Sequence, residues 1–250
     1  MDKQLNPVAK NKKLAVFLLA VAVIGFAIIV YRVTNYVFEY DPKHSPVDYG
    51  RWNFFTYFTV QSNIIAYVYF IVTSIAIFGN KKAQRIAFHP GVQAMVTLYI
   101  IVAGLVYNCG FPLKMTPPLT FNTPYQTFIT IMQCYFHMFM PVVVITLLFF
   151  PFTNEKVTKK AVFLSGVYPL LYSLFSIIRG PFTNPTYYPY PFYKTDFLWE
   201  TFMKGKPFNL VGAYAIMAVL LVFGISIFIA ICAVVALIHN KRVEKNKAVA

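Results

Sequence analysis

The sequence predicts an all-α fold: a polytopic membrane helical bundle with six transmembrane helices and both termini cytoplasmic. Three observations carry this. Of the 250 residues, 58% are hydrophobic and only 12% charged, whereas about a quarter of a soluble domain is charged. Six apolar runs are each long enough to cross a hydrocarbon core of about 30 Å. The basic residues gather at the termini and in alternate links.

The first run, Leu14 to Tyr36, follows Lys10, Lys12 and Lys13. Its apolar part is too long for a signal peptide and no small-residue cleavage site follows, so it reads as a retained anchor. It carries Arg32. The second run, Phe54 to Phe78, places Thr56, Thr59 and Asn63 at i, i+3 and i+7, with Gln61 and Ser62 adjacent. In the third, Gly91 to Tyr107, the residues Gln93, Thr97, Gly104 and Asn108 share one face. The fourth, Tyr125 to Phe150, contains His137 and, four residues on, Pro141. In the fifth, Ala161 to Ile178, a stripe of Ser165, Tyr168, Tyr172 and Ser176 ends on Arg179. The sixth, Leu210 to Ile238, has almost no polar side chains and is expected to face lipid on most sides. The chain 1–250 therefore reads as a single integral-membrane domain without an internal repeat. Spans two to five are expected to wall a polar interior.

The formal net charge of +14 is a topology signal. Four Lys or Arg precede the first span, three lie in the second link (Lys81, Lys82, Arg85), three in the fourth (Lys156, Lys159, Lys160) and four in the tail (Lys241, Arg242, Lys245, Lys247). Against these fourteen, the odd links hold seven: Lys43, Arg51, Lys114, Arg179, Lys194, Lys204 and Lys206. The positive-inside rule then puts both ends in the cytoplasm. The basic excess needs no nucleic acid partner, and the expected partner is membrane lipid. The outer link with PFTNPTYYPYPFY, Pro181 to Tyr193, either lies along the interface or folds back as a lid.

Chemistry is narrowed by what the spans lack. All eight acidic residues fall outside the apolar runs, which argues against a carboxylate proton pump, an aspartyl protease or a metal site within the membrane. No GxSxG, HExxH or P-loop motif is present. Cys109, Cys134 and Cys232 lie far apart, so neither a metal nor a disulfide framework is readable, and no cofactor is expected. His137 remains. It is about 18 Å of helix from one end of its run and about 20 Å from the other, close to the bilayer midplane, where an ionisable residue marks a site. Pro141 has no N–H for the carbonyl of His137, so the helix should bend there and turn that acceptor toward protein or a wet cavity. A neutral imidazole beside a Ser or Thr hydroxyl can take its proton during attack on an acyl carbonyl and return it to the leaving alkoxide. The bland readings are that intramembrane Thr bonds its own i−4 carbonyl, that His137 is a packing histidine and that Arg179 snorkels to the interface.

The order Arg51-Trp52-Asn53-Phe54-Phe55-Thr56-Tyr57, then His137 with Pro141, then Tyr188-Pro189-Tyr190-Pro191-Phe192 resembles the androgen-induced gene product and FAR-17a family, in its bacterial branch, over most of the chain. The resemblance implies a six-pass intramembrane threonine hydrolase acting on fatty acid esters of hydroxy fatty acids. By position its nucleophile falls on Thr56 and its base on His137. The animal members place the proline one residue further from the histidine, and Thr59 on the same face is the alternate nucleophile. Counted from Asn53, Thr56 is about 5 Å into its helix and Asn63 about 15 Å; Asn63 is the candidate oxyanion donor, and Tyr172 is a further binding residue. Arg179 is the candidate partner of a free carboxylate. The expected activity is lipid-ester hydrolysis in a bacterial plasma membrane. The contrasting expectation is a non-enzymatic carrier or interaction protein that binds a small amphiphile in the same interior.

Overall fold

Inside a hydrocarbon slab every backbone N–H and C=O must find its partner within the protein, and an apolar run does this as a helix. The computed structural model describes residues 5–37, 53–110, 119–183 and 186–249. Arg51 and Trp52 of the aromatic motif, Lys43, His44 and Lys114 of the outer links, and Asn184 and Pro185 of the Pro-rich link lie outside the described residues. Among those described the protein is all-α, with six helices long and apolar enough to cross a membrane. The elements are α1 (Lys12–Arg32), α2 (Phe58–Ile77), α3 (Lys81–Ala87), α4 (Pro90–Gly110), α5 (Pro124–Cys134), α6 (Met140–Leu148), α7 (Lys159–Leu164), α8 (Val167–Arg179), α9 (Thr195–Phe202) and α10 (Leu210–Val249). The spans are α1, α2, α4, the pair α5–α6, the pair α7–α8, and α10.

Three boundaries differ from the sequence reading. Asn53–Thr56 is a separate 3-10 turn and Tyr57 is extended (ψ 131°), so α2 starts at Phe58 and Thr56 lies before the helix rather than one turn inside it. The sixth helix does not stop at Ile238. It runs on through the basic tail to Val249, 40 residues in all, about 60 Å at 1.5 Å per residue, twice the hydrocarbon thickness. The fifth span is interrupted between Leu164 and Val167, just before Pro169, whose missing N–H spoils the helical ladder. The fourth span departs from regular α-helix just before Pro141. Tyr135–Phe139 forms a π-helical turn, with the Met140 N–H reaching back five residues to the Tyr135 carbonyl.

Tight packing of α1 on α2 anchors the bundle. A Cβ on Gly25 would collide with the ring of Tyr67, so only glycine allows this approach. Ser74 Oγ donates to the Ala15 carbonyl at 2.8 Å across the same interface, and Tyr135 Oη joins the fourth span to the Val21 carbonyl. One end of the bundle collects the basic segments. Asn6 donates to the carbonyls of Pro151 and Phe152, Phe88 stacks on Phe152 at 5.1 Å, and Asn240 exchanges hydrogen bonds with Val157. The N-terminal segment, the second and fourth links and the end of α10 thus share one face. An even number of crossings demands this of the termini, and the positive-inside expectation assigns that face to the cytoplasm.

Candidate functional site

Away from the basic face the helices enclose a cavity of about 970 Å³. Its walls are mainly aromatic and aliphatic, and its polar groups include Thr59 of α2, Gln126, Thr130, Gln133 and His137 of the fourth span, Ser173 of α8, Tyr190 of the Pro-rich link and Arg32 at the end of α1. Such a chamber has the character of a small-molecule site.

His137 is placed by four neighbours. The π turn swings it out of the regular helical register, as such turns often do at functional sites. Its ring stacks on Tyr107 of α4, centroids 3.9 Å apart and planes 8° from parallel. Its Nδ1 lies 3.1 Å from the Ala103 carbonyl. A carbonyl only accepts, so Nδ1 carries the proton and the neutral ring keeps its lone pair on Nε2. Nε2 takes no protein hydrogen bond among the described residues, and the ring lines the cavity. The backbone carbonyl, deprived of a donor by Pro141, accepts from Asn108 Nδ2 at 2.9 Å, and the same amide donates to the Gly104 carbonyl at 2.8 Å. Gly104 permits this closeness, because a Cβ there would stand 2.6 Å from Pro141 Cγ. Of the polar face of α4, Gly104 and Asn108 thus hold His137, whereas Gln93 Nε2 donates to the Leu147 carbonyl at 3.1 Å.

The two threonines are treated differently by the fold. Thr56, 7% exposed, donates its hydroxyl to the Asn53 carbonyl at 2.6 Å, and its own carbonyl accepts from Tyr172 Oη at 2.7 Å. It is not part of the cavity wall. Thr59 is half-buried in the first turn of α2 and lines the cavity with His137. Burial pushes the Tyr190 hydroxyl up from its ordinary value, with the adjacent Thr59 hydroxyl acting in the opposite sense. Asn63 is fully buried, and its side chain is committed to the Thr59 carbonyl and the Tyr67 hydroxyl. It too is absent from the wall.

The fifth-span stripe mainly ties helices together. Tyr168 Oη donates to Gln61 Oε1 at 2.9 Å, Tyr172 Oη to the Thr56 carbonyl, and Arg179 to Asn53 Oδ1. This zipper orients the turn before α2. Tyr172 also reaches the cavity, whereas Arg179 does not. The Pro-rich link folds inward as a cover: Tyr190, Pro191, Phe192 and Tyr193 line the cavity, Tyr193 Oη is 2.9 Å from Ser173 Oγ, and Tyr190 packs edge-on to Tyr57 at 5.9 Å.

The expected polar interior walled by spans two to five differs from what forms. The wall is predominantly apolar, and it includes both outer members of the bundle. Met217, Leu220, Leu221, Gly224, Ile225 and Phe228 of α10 make up one side, although most of that helix is exposed. Arg32, only 5% exposed, closes the other, with the rings of Phe54 and Tyr125 at 5.7 and 6.0 Å from its guanidinium carbon. Arg32 and Gln133 went unnoticed in the sequence as site residues, though an arginine within an apolar run is itself a signal. Among the described residues no group of three or more His, Cys, Asp or Glu comes together to hold a metal. Compared with known proteins, the chain matches no family model, and no curated protein or solved structure matches it.

Proposed function

We propose that this multi-pass membrane protein hydrolyses lipid esters inside the bilayer, with Thr59 as nucleophile and His137 as general base. One observation supports this above the others. His137, with the lone pair on Nε2 fixed by the Nδ1 bond to Ala103, and the half-buried Thr59 line the same cavity. Thr56, the position that the family resemblance favours, spends its hydroxyl on Asn53 and stands off that wall. Its part is to brace the turn that leads into α2.

In the proposed reaction Thr59 Oγ1 attacks the ester carbonyl carbon while its proton passes to His137 Nε2. Gln133 has no protein hydrogen-bond partner among the described residues and lines the same cavity, so its amide N–H is the proposed donor to the oxyanion. Collapse expels the alkoxide, which takes the proton from His137. Water, deprotonated by the same Nε2, then cleaves the acyl-threonine and restores the hydroxyl. The apolar walls suit an acyl chain that enters from the membrane. The basic face and the resemblance together support a bacterial plasma membrane with the cavity toward the outer leaflet.

The test is a fluorophosphonate probe on purified protein, followed by peptide mapping. Labelling of Thr59 that disappears in His137→Gln is the expected result. Absence of labelling and of ester turnover, with lipid still bound, would instead favour a carrier that uses the same chamber without chemistry.

A further inference from the structure

We infer that Gly224 is the seat of the ligand's acyl chain, which runs along α10 from the Thr59 and His137 end of the chamber and leaves to the bilayer between α4 and α10. This rests on the reading of the cavity as a lipid-ester site and adds where the chain lies; it does not require hydrolysis. The chamber has its floor where the helices close together. Tyr99 of α4 and Cys232 of α10 share one buried cluster, and Phe58, at the start of α2, packs on Tyr99 at 6.3 Å and on Phe228 of α10 at 5.5 Å. Thr59 follows Phe58 directly. Counted outward from this floor, Val106 is seven residues from Tyr99 and Gly224 is eight from Cys232, about 11 and 12 Å along their helices. The two stand at one depth. Val106, 60% exposed, and the exposed Cys109 both line the cavity, so the wall is open on that side. Gly224 is about 21 Å from either end of the apolar stretch Leu210 to Ile238, within the hydrocarbon layer. An opening at that level meets lipid tails, and its occupant is an alkyl chain.

Along α10, Met217, Leu220, Leu221, Gly224 and Phe228 follow helical spacing and all line the cavity, so a side chain at 224 would point into it. A Cβ built there meets nothing within 4 Å. On Gly212 of the same helix it would stand 2.5 Å from Trp199, and on Gly25 or Gly104 it would strike a neighbouring helix. Close packing explains those glycines and leaves this one unexplained. The adjacent Val222 and Phe223 are 70% and 63% exposed and belong to the lipid face. One turn outward from Phe228, the missing side chain at 224 widens the chamber between the level of Thr59 and the opening beside Val106.

Occupancy is tested on the purified full chain with alkyl methyl ketones, which keep the carbonyl of an ester and are not hydrolysed, by displacement of the fluorescent polyene alcohol cis-parinarol. Gly224→Phe is expected to weaken heptadecenyl methyl ketone about fivefold or more by overfilling the seat, and nonyl methyl ketone less. Val222→Phe, on the lipid face, should change neither. A diazirine midway along the longer chain should, on irradiation, label residues 220–228 of α10 or 102–109 of α4, and excess unmodified ketone should suppress that labelling. Should Gly224→Phe fail to fold, the labelling still decides. Undiminished affinity of folded Gly224→Phe for the long chain, an equal loss on both ketones, or no suppressible labelling of either segment overturns the inference. Its failure and that of the hydrolase reading are separable: ester turnover with long chains indifferent to Gly224→Phe sinks only the inference, and Gly224-dependent binding without turnover sinks only the hydrolase.

Discussion

Asn108→Leu removes the amide that satisfies the His137 carbonyl, and it provides the sharpest test of how the histidine is held. Two bonds are lost, to His137 at 2.9 Å and to Gly104 at 2.8 Å, and they are not equivalent. Gly104 lies within α4 and its carbonyl lies one turn before Asn108, within reach of an ordinary helical partner. The His137 carbonyl faces Pro141 at i+4, which has no N–H. An orphaned buried carbonyl costs about 1 to 3 kcal/mol, while side-chain hydrogen bonds between membrane helices average about 0.6 kcal/mol. An expected loss of about 1 to 2 kcal/mol follows, because here the ordinary i+4 partner has no N–H. Reversible unfolding in mixed detergent and SDS measures it. The same substitution in a Pro141→Ala background should cost about half as much or less, since the new N–H at 141 can return to His137, and the cycle isolates that coupling. Additive losses, or an Asn108→Leu protein as stable as wild type, would refute the account of how His137 is held.

Thr59→Val and His137→Gln should each reduce long-chain ester hydrolysis to near background, and the double variant should be little worse because the pair acts as a unit. Thr56→Val should retain most of the turnover and lose about 1 kcal/mol of stability with its bond to Asn53; near-complete inactivation of a folded Thr56→Val protein would return the nucleophile to that position. Arg179→Gln should weaken a free-acid ester and its methyl ester equally, because Arg179 holds Asn53 and is not on the cavity wall; a selective loss on the free acid would make it the carboxylate reader. Reporter fusions at Lys82, Lys159 and the C-terminus should behave as cytoplasmic and those at Lys114 and after Tyr193 as external, and an external C-terminus would overturn the orientation.

Six spans, the meeting of the two termini on one face and the break in regular helix at His137 could all be read from the sequence, because each depends on local or summed properties. Apolar length decides whether a segment crosses. Counting Lys and Arg decides a direction. Proline at i+4 decides that one carbonyl lacks its donor, whatever the surroundings. The tertiary structure decided which side chains meet. Spacing put Thr56, Thr59 and Asn63 on one face of a presumed helix, but the turn at Asn53–Thr56 ends before α2 begins, so their periodicity does not apply across Tyr57. The stripe from Ser165 to Arg179 is real as a face, yet its neighbours are Gln61, Thr56 and Asn53. A hydrogen-bonding side chain is the same in sequence whether it grips another helix or faces a ligand, and only packing distinguishes the two. Arg32 and Gly224 illustrate the same limit. Nothing local separates an arginine at a helix end that snorkels from one buried between two rings. A glycine that lets helices touch likewise reads the same as one that leaves a space. Those distinctions arise only when distant spans close around a common volume.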